Sequence, residues 1–520
     1  MTASDKSTLS PMQRWLSRAP DTDVFRIGDA VVTRGELLAA SEGAARYLYG
    51  LGLRRGDVIC LLVPDSAVWL QFLFAASRLG VLVVPISTRY RDLEIAHVLE
   101  TSRAKGVIFI RQFLKADFQQ MIETMAPSVP SLKHLIGLDD TKGFFSGPQR
   151  DVAVSLPEPD PTALLCTFST SGTTGRPKLA PHSQAGIAKH AEDVAKALDM
   201  DDATVTLCAL PLYGVLGFIS TMATIAGGGC CVSQPVFKAE SAAQIIDDQG
   251  VTHFYGSDGL IDAVLRVPGH EFGRLRRGGF AEFAGLGRSL VDFAEERFGL
   301  RLGGVYGSSE CFALMALRDP ALSAERRAMP GGSPTSGDIA FRIVDPTTGE
   351  IQPDLGSGEL QISGPNVMAG YLNNPEATAE SMTPDGWFRT GDLAYGDGAS
   401  FVFLSRMKDS LRLRGYLVDP TEVEYFLTTH SSVSAAQVVG IHREGRGDVA
   451  VAFVQPYNGN ACSEEELISY CANGISNYKV PSRIVFVEQF PVVSGPNGVK
   501  IQKNKLRELA DALIEKGNKL

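Results

Sequence analysis

The chain has 520 residues, of which 44% are hydrophobic and 21% charged, and this near-average composition excludes a disordered chain and a coiled coil. Its 49 Lys and Arg against 59 Asp and Glu give a net charge of −10, which argues against a general nucleic-acid binder. Glycine occurs 53 times, above the usual share of about 7%, and indicates many tight turns and places where the backbone approaches a ligand. At about 150 residues per domain, the length predicts about three to four structural units.

Cysteine and histidine spacing bear on the compartment and on metal chemistry. The eight cysteines include no C-x-x-C pair and the first residues have no apolar leader, so we expect a reduced, cytoplasmic protein. No H-x-x-x-H or H-E-x-x-H pattern occurs, so we expect no zinc enzyme. Residues Val68–Ile86 could imitate a membrane span, but Gln71, Arg78 and Pro85 predict a buried helix followed by a buried strand. We therefore expect no integral membrane segment.

The first 160 residues alternate helical and strand-like segments. Examples are the helix candidate Leu37–Leu48 and the strand candidates Val58–Val63 and Gly106–Ile110. Such alternation predicts an α/β subdomain with a largely parallel sheet. The proline-rich stretch 155–163 predicts a linker, so we place the first subdomain at 1–160.

Two further units follow in the large N-terminal part. The strand candidates Leu164–Thr170 and Val205–Leu210 predict a second α/β subdomain that contains the phosphate loop described below. After Pro320, short alternating strands such as 358–363 predict a β-rich subdomain. The predicted limits of these two units are 161–320 and 321–407.

The last part of the chain predicts a small α+β domain over 408–520. A helix candidate follows Pro420, which suits the first helical turn. Strand candidates then flank the helix candidate Glu464–Ala472. The final helix candidate, Lys505–Lys516, has a predicted apolar face made of Leu506, Leu509, Ala510, Leu513 and Ile514.

A ten-residue segment rich in glycine and hydroxyl side chains, 169–178 (STSGTTGRPK), ends the strand candidate Leu164–Thr170 and continues beyond it. Its glycines let backbone N–H groups turn toward an anion, its hydroxyls add rotatable donors, and Lys178 adds a positive charge. The spacing is not that of a Walker A loop. The segment therefore predicts a phosphate site of another type, with a polar surface turn as the alternative.

This segment resembles the phosphate-loop signature of the adenylate-forming superfamily, which includes acyl-CoA synthetases, nonribosomal peptide adenylation domains and beetle luciferases. Other motifs resemble that family in its order and spacing, namely 306–310 (YGSSE), 358–371, 386–392 (GWFRTGD), 405–424 and 500–507. The similarity covers nearly the whole chain. It implies an α/β fold with a large N-terminal domain of two α/β subdomains plus a β-rich subdomain, and a small mobile C-terminal α+β domain.

The resemblance implies activation of a carboxylic acid by ATP. A carboxylate is a poor electrophile, and attack on the α-phosphate of ATP gives it AMP as a leaving group, so the site needs Mg²⁺ and preset donors where charge develops. By resemblance, Glu310 would hold Mg²⁺, Tyr306 would stack on adenine, and Asp392 would accept the ribose hydroxyls. The implied nucleotide site comprises Thr170, Ser171, Gly172, Thr173, Thr174, Gly175, Lys178, Gly285, Tyr306, Gly307, Asp392, Arg406 and Lys500.

The catalytic residues that the resemblance implies are Lys500, Arg406 and Ser309. Lys500 would bridge the α-phosphate and the substrate carboxylate. Val499 stands where the family usually has glycine before this lysine, and Lys503 is the competing lysine. Arg406 would add donors toward the ribose or phosphate. Ser309 replaces the family's usual threonine and keeps the hydroxyl.

The acceptor of the acyl group is also inferred from the resemblance. Lys408 falls at the family's hinge, about which the C-terminal domain turns between two half-reactions, and Arg412 and Gly415 fall on the side that faces coenzyme A. The segment after Lys500 is too short for a carrier domain. We therefore expect a stand-alone enzyme that uses the soluble thiol coenzyme A.

The substrate pocket that the resemblance implies consists of Tyr213, Gly214, Tyr255, Gly285 and Phe312. Gly214 stands where many relatives have histidine and where domains for α-amino acids have aspartate. An unpaired ammonium group there would be costly, so α-amino acids are disfavoured. The missing side chain would leave room for a fatty, aromatic or bulky polycyclic acid. An ordinary turn glycine is the alternative interpretation of Gly214.

Other functions stay open at this level. The first is a stand-alone adenylation enzyme that loads a separate carrier protein instead of coenzyme A. The second is a non-catalytic nucleotide-binding relative, against which Lys500, Asp392, Arg406 and Glu310 speak. A light-emitting monooxygenase ranks third, because the motifs do not separate it from a ligase.

Overall fold

The computed structural model describes residues 9–146, 155–170, 177–234, 236–282, 286–346, 348–407, 411–414, 416–418, 420–443, 447–457, 462–495 and 498–516. These residues form a large N-terminal part of mixed helices and sheets and a small C-terminal domain. The predicted fold class is confirmed.

The first sheet of the N-terminal part has central strands that are buried on both faces. Val58–Leu62 pairs in parallel with Leu82–Pro85 and with Gly106–Ile110, and their continuous apolar runs are typical of such strands. The helix Ala67–Leu79 connects the first two; Ser66 caps its start and Gly80 ends it with a φ of 69°. In spatial order the six strands are Lys178–Ser183, Leu164–Thr170, Leu82–Pro85, Val58–Leu62, Gly106–Ile110 and His134–Leu138.

The second sheet begins as a parallel α/β sheet and continues as an antiparallel one. His253–Ser257 and Arg277–Ala281 pair in parallel, whereas Phe312–Leu317 pairs antiparallel with Gly331–Pro334. The strands predicted for a β-rich unit thus continue the α/β sheet, and the subdomain limits stay predictions. In spatial order the strands are Ala340–Val344, Ser357–Ser363, Phe388–Asp397, Ser400–Arg406, Gly331–Pro334, Phe312–Leu317, Gly303–Ser308, Arg277–Ala281, His253–Ser257, Val205–Cys208, Cys230–Ser233, Asp23–Ile27 and Ala30–Thr33.

The helices of the N-terminal part begin at recognisable local signals. Thr33 and Glu36 form a capping box at the start of the helix Arg34–Gly50, which contains the predicted Leu37–Leu48. In the part of the chain that the structure describes, no helix combines the length and apolarity needed to cross a membrane. The helices are Gln13–Leu16, Arg34–Gly50, Ala67–Leu79, Asp92–Ser102, Phe118–Met125, Gln184–Ala197, Val215–Gly227, Ala239–Asp248, Asp258–Leu265, Gly287–Phe298, Ala324–Ala328 and Pro375–Ser381, with a 3₁₀ turn at Ala126–Ser128 and a short hairpin of Gln112–Phe113 and Ala116–Asp117.

The C-terminal domain packs helices against its own sheet. Its strands are Tyr416–Val418, Leu411–Leu413, Gly447–Pro456, Val433–Arg443 and Arg483–Phe486, and its helices are Pro420–Thr428, Glu464–Gly474 and Lys503–Lys516. The last helix buries Leu506 and Ala510 against this sheet, but Leu509 and Leu513 are about half exposed. The predicted apolar face is therefore wider than the buried one. In the chain, this helix follows the hairpin of Val492–Gly495 and Gly498–Ile501.

Candidate active site

A cavity of about 370 Å³ lies where strands of both N-terminal sheets end and meet the C-terminal domain. Thr170 ends a strand of the first sheet, and Ala281 ends a strand of the second. In open α/β sheets, ligands bind outside the carboxyl ends of the strands. The cavity is polar around Glu310 and Asp392 and apolar around Leu314. The cavity can therefore contact the polar and the apolar part of one ligand.

The polar part contains a buried tyrosine–carboxylate pair. The Tyr306 hydroxyl donates to Asp392 Oδ2 at 2.6 Å, and both side chains are more than nine-tenths buried. The antiparallel register places the backbone of Arg406 opposite that of Asp392. At Gly307 a Cβ would lie 2.1 Å from the Phe312 carbonyl oxygen, so only glycine fits there. The tyrosine and the carboxylate are thus held side by side in the wall of the cavity.

A second polar group joins the cavity to the end of the predicted phosphate segment. The Tyr371 hydroxyl donates to Glu310 Oε1 at 2.8 Å. The Lys178 ammonium lies 4.0 Å from the centre of the Tyr371 ring, which is within cation–π range. One tyrosine therefore fixes the positions of both a cation and a carboxylate. Near them, the Thr170 hydroxyl is buried without a hydrogen-bond partner among the described residues. This hydroxyl would have a partner if a phosphate oxygen bound beside it.

The surroundings of Glu310 fit Mg²⁺ that arrives with a nucleotide. Mg²⁺ commonly binds one or two carboxylates together with substrate phosphates and water. Glu310 lines the cavity, and only its Oε1 has a hydrogen-bond partner among the described residues. In the same part of the chain, no three His, Cys, Asp or Glu side chains are grouped to hold a metal. The donor set thus suits a cation shared with phosphate better than one held by protein alone.

Ser309 is held by two contacts that cross between strands. Its hydroxyl donates to the Ser169 carbonyl oxygen at 3.2 Å. Its own carbonyl oxygen lies 2.8 Å from Nε2 of His182, which places the donated proton on that nitrogen. The Ser309 hydroxyl therefore stabilises the position of the segment that starts at Ser169.

Two buried imidazoles fix the backbone that follows. Phe312 stacks against His182 with ring centres 3.8 Å apart, and against His190 with centres 5.1 Å apart. His190 Nε2 bonds the Ala313 carbonyl oxygen at 2.9 Å. Burial lowers the pKa of His182 to about 3 and that of His190 to about 4, so both rings are neutral at pH 7. Phe312 adopts a φ of 62°, which is costly for a bulky residue and is imposed here by this packing.

The apolar part of the cavity contains two of the predicted acid-pocket residues, Tyr213 and Gly214. Gly214 has a φ of −99°, and a Cβ there would lie 3.3 Å from the Pro211 carbonyl oxygen. The backbone therefore does not demand glycine at 214. In contrast, a Cβ at Gly217 would lie 2.3 Å from the Leu210 carbonyl oxygen. Glycine at 214 is thus not required by a strained turn, and the space beside it is part of the cavity.

Other predicted pocket residues lie elsewhere. Tyr255 is buried but does not line the cavity, and Phe312 is enclosed between the two histidines, while its neighbours Ala313 and Leu314 line the cavity instead. Several predicted site residues lie outside the described residues, namely Ser171, Gly172, Thr173, Thr174, Gly175, Gly285, Lys408 and Gly415. The side chains of Arg406, Arg412 and Lys500 also lie outside them.

The two candidate lysines near the C-terminus differ in their surroundings. The backbone of Lys500 lies on the strand Gly498–Ile501, opposite Val493. Lys503 forms an ion pair with Glu424 at 2.7 Å inside the C-terminal domain. Lys503 thus has a carboxylate partner in its own domain, and the assignment of Lys500 as the catalytic lysine stays a prediction.

Comparison with known families identifies the chain. The model of the AMP-binding enzyme family matches residues 12–372, and that of the AMP-binding enzyme C-terminal domain matches residues 422–494. The chain belongs to the AMP-binding enzyme family. The resemblance to adenylate-forming enzymes that the motifs indicated is therefore confirmed.

The relatives of this AMP-binding enzyme are acid–thiol ligases. It is 30% identical over 506 residues to a mitochondrial medium-chain acyl-CoA ligase of Rattus norvegicus, covering 90% of this chain and 81% of the relative. It is 28% identical over 520 residues to a long-chain-fatty-acid–CoA ligase of Mycobacterium tuberculosis, covering 98% of each. It is 27% identical over 512 residues to a 4-coumarate–CoA ligase of Vanilla planifolia, covering 94% and 90%. The chain is thus an AMP-forming acid–thiol ligase that depends on ATP.

Solved structures share the fold. The o-succinylbenzoate CoA synthetase of Bacillus subtilis bound with its product analogue has a TM-score of 0.81 at 24% identity, covering 96% of this chain and 98% of that chain. ATP-bound MatB of Rhodopseudomonas palustris has a TM-score of 0.68 at 22% identity, with the same coverage of 96% and 98%. Both structures therefore share the fold of this chain.

Sequence reasoning missed a group of residues where the C-terminal domain of this AMP-binding enzyme closes the cavity. Tyr90 reaches the cavity from the N-terminal part, and Glu422, Tyr478 and Lys479 reach it from the C-terminal domain. Only Glu422 belongs to a family motif. Nothing in the spacing of the other three indicates that they meet, because the contact depends on how the two domains are placed.

A second missed residue is Asp65. It follows the strand Val58–Leu62, and its Oδ1 accepts from the Leu212 N–H at 2.9 Å, beside Tyr213 and Gly214 of the cavity wall. Burial raises the pKa of Asp65 to about 7. This carboxyl therefore ties the first sheet to the wall of the apolar part.

Proposed function

We propose that the chain joins a hydrophobic carboxylic acid to AMP with release of pyrophosphate, and then transfers the acyl group to coenzyme A. The observation that carries this proposal is a single cavity in which Tyr306, Asp392 and Glu310 face the apolar wall at Tyr213 and Gly214. An acyl-adenylate has a polar nucleotide and an apolar acyl chain joined at one phosphorus. The cavity has the same division.

In the first step, a carboxylate oxygen of the acid attacks the α-phosphorus of ATP, and the bond from that phosphorus to the bridging oxygen of pyrophosphate breaks. Tyr306 and Asp392 would hold the nucleoside, and Lys178 with the Thr170 hydroxyl would bind phosphate oxygens. Mg²⁺, when bound at Glu310, would neutralise charge on the phosphates. Lys500 and Arg406 would contribute positive charge between carboxylate and α-phosphate, where charge develops.

In the second step, the sulfur of coenzyme A attacks the acyl carbon, and AMP leaves with the electrons of the carbon–oxygen bond. The C-terminal domain supports this assignment, because Tyr478 and Lys479 close one side of the cavity. The TM-score is also higher for the synthetase bound with its product analogue than for ATP-bound MatB, 0.81 against 0.68. We therefore assign the orientation described here to the thioester-forming step.

The class of acid follows from the apolar wall. Among the cavity-lining residues beside Tyr213 and Gly214, the neighbours Val215, Leu216 and Leu314 are apolar, so this wall suits an apolar acyl group. We propose fatty, aromatic or bulky polycyclic acids as substrates, with coenzyme A favoured over a separate carrier protein as the acceptor.

The proposed compartment is the cytoplasm. All eight cysteines are free, and seven of them are buried. Burial raises the pKa of Cys60 and of Cys311 to about 12, so these thiols stay protonated and inert. Free thiols without a disulfide framework suit a reducing compartment.

A screen of pyrophosphate release tests the proposed function. Fatty, aromatic and polycyclic acids are each supplied with MgATP, with and without coenzyme A, and the acyl product is identified by mass spectrometry. We expect pyrophosphate release with a hydrophobic acid, and an acyl-CoA only when coenzyme A is present. Thioester formation on a phosphopantetheinylated carrier but not on coenzyme A would replace the acceptor. No release with any acid would defeat the proposal and favour a non-catalytic nucleotide-binding protein.

A further inference from the structure

Three charged side chains meet at the boundary between the two domains, and we call Glu94, Glu422 and Lys479 the interdomain cluster. Lys479 Nζ lies 3.1 Å from Glu94 Oε1 and 2.8 Å from Glu422 Oε2. All three side chains are at least nine-tenths buried. Such a degree of burial distinguishes this cluster from exposed ion pairs, which contribute little.

The cluster joins the domains through Glu94 alone. Glu94 lies in the first turn of the N-terminal-domain helix Asp92–Ser102, whereas Glu422 and Lys479 belong to the C-terminal domain. Ser476, also of the C-terminal domain, has its hydroxyl 2.9 Å from both Glu94 oxygens. One carboxylate of the N-terminal domain therefore receives an ammonium and a hydroxyl from its partner domain.

Each side of this contact has a local partner that persists when the domains separate. Lys479 keeps Glu422, and Glu94 keeps the Arg91 backbone N–H, which donates to its Oε2 at 3.1 Å. Separation of the two domains would therefore leave no buried charge without a partner. Such an unpaired charge is what makes breaking a buried ion pair costly. The contact between the domains can therefore break without leaving a buried charge unpaired.

The cluster also touches the cavity. The Lys479 ammonium lies 5.5 Å from the centre of the Tyr90 ring and 5.8 Å from that of Tyr478, and the Tyr90 side chain hydrogen-bonds with Ser169 at the start of the phosphate segment. Burial alone would lower the pKa of Lys479, but Glu422, the two tyrosines and Glu94 together raise it well above its usual value. Lys479 is thus charged in this orientation and lies beside the cavity.

We propose that Lys479 is a positioning residue for the thioester-forming step, which with Ser476 docks the C-terminal domain on Glu94 and so holds the orientation described here. This inference rests on the proposed function, in which the first step requires another orientation that brings Lys500 to the α-phosphate. In that orientation Glu94 cannot hold both Lys479 and Ser476. Loss of the contact therefore affects the two steps differently.

The half-reactions of Glu94→Gln and Lys479→Met test this. The first step is followed as ATP–pyrophosphate exchange, and the second as single-turnover thioester formation from preformed acyl-adenylate and coenzyme A. Because hydrogen bonds to charged groups are stronger than those between neutral groups, we expect the second rate to fall about tenfold or more and exchange to stay within about twofold of the parent. Asp92→Asn, an exposed acid of the same helix turn, and Arg483→Met, which breaks the ion pair with Glu464 inside the C-terminal domain, should change neither step.

Equal losses in both half-reactions, or no loss in either, would overturn the proposal. Glu94→Gln decides the matter if Lys479→Met fails to fold, because glutamine keeps the size of the side chain and its cap on the helix. If the parent enzyme shows no exchange with any acid, the proposed function fails by itself, and the docking contact is then judged by cross-linking.

A disulfide between residues 94 and 476 gives that independent measurement. In the double variant Glu94→Cys with Ser476→Cys, mild oxidation should join the two domains, as peptide mapping would show. We expect the oxidised protein to lose at least about nine-tenths of its exchange activity and to recover it on reduction. Failure to cross-link, or equal exchange in the oxidised and reduced forms, would contradict the proposed docking.

Discussion

Tyr371 contacts both Lys178 and Glu310 of the proposed site. Two replacements, which remove first its hydroxyl and then its ring, test these two contacts in turn. Tyr371→Phe keeps the ring beside Lys178 but removes the hydroxyl that donates to Glu310 at 2.8 Å. Hydrogen bonds to charged groups contribute ~1.5–3 kcal/mol. If the position of Glu310 governs the binding of magnesium with the nucleotide, the KM for MgATP should rise about 10- to 150-fold.

Tyr371→Leu removes the ring as well. A cation–π contact at a partly exposed site contributes ~0.5–1 kcal/mol, so the KM for MgATP should rise by a further factor of about two to five. The predicted order is therefore parent, Tyr371→Phe, Tyr371→Leu. The KM for the acid should stay close to that of the parent, because Tyr371 does not line the cavity.

The assay is ATP–pyrophosphate exchange at varied MgATP with saturating acid, together with thermal unfolding of each variant. Magnesium-dependent binding of ATP, measured by calorimetry, gives a readout that does not need turnover. Tyr457→Phe is the matched control, since Tyr457 is 53% exposed on the C-terminal domain. An unchanged KM for MgATP in Tyr371→Phe, or an equal rise in the KM for the acid, would refute the reasoning.

Three further predictions concern the histidines and the glycines of the cavity. Because the folded pKa values of His182 and His190, about 3 and 4, lie below the unfolded value of about 6.5, the unfolded chain binds protons that the folded chain does not. The stability that the neutral rings confer should be complete above pH 6.5. Below that pH, the free energy of unfolding should fall by up to ~1.4 kcal/mol per pH unit per histidine. Urea unfolding at pH 7 and 5.5 should show a smaller loss of this free energy in His182→Gln than in the parent. Gly214→Ala should keep the fold and the melting temperature of the parent. Gly217→Ala should lower the melting temperature by several degrees, because its Cβ would lie 2.3 Å from a carbonyl oxygen. Equal melting temperatures of the two variants would contradict this. Gly214→His should raise the KM for bulky acids at least about tenfold while sparing short ones, and unchanged kinetics on bulky acids would contradict the role of this space.

Much of the local structure was predictable because it depends on short-range signals. Leu164–Thr170 and Gly106–Ile110 have the predicted bounds, since buried strands bounded by polar turns leave little choice of ends. The apparent membrane span divides at Gly80 into a helix and a strand as predicted. The buried face of the final helix was predicted less well, because the helical period of apolar residues does not determine which of them the neighbouring sheet covers.

The site was predictable only where family motifs pass through it. Glu310 and Asp392 lie in motifs, and both line the cavity. Phe312 was predicted to line it and is enclosed instead, because its ring stacks against His182 and His190. The meeting of Lys479 with Glu94 depends on contacts between residues 385 positions apart, and no local pattern contains that information.

The most direct measurement is a crystal structure with an acyl-sulfamoyl adenosine, a stable mimic of the acyl-adenylate. We predict that its ribose hydroxyls bond Asp392, that its adenine lies against Tyr306, and that its acyl chain runs past Tyr213 and Gly214. A mimic bound outside this cavity, or with its acyl chain pointing away from Gly214, would contradict the account.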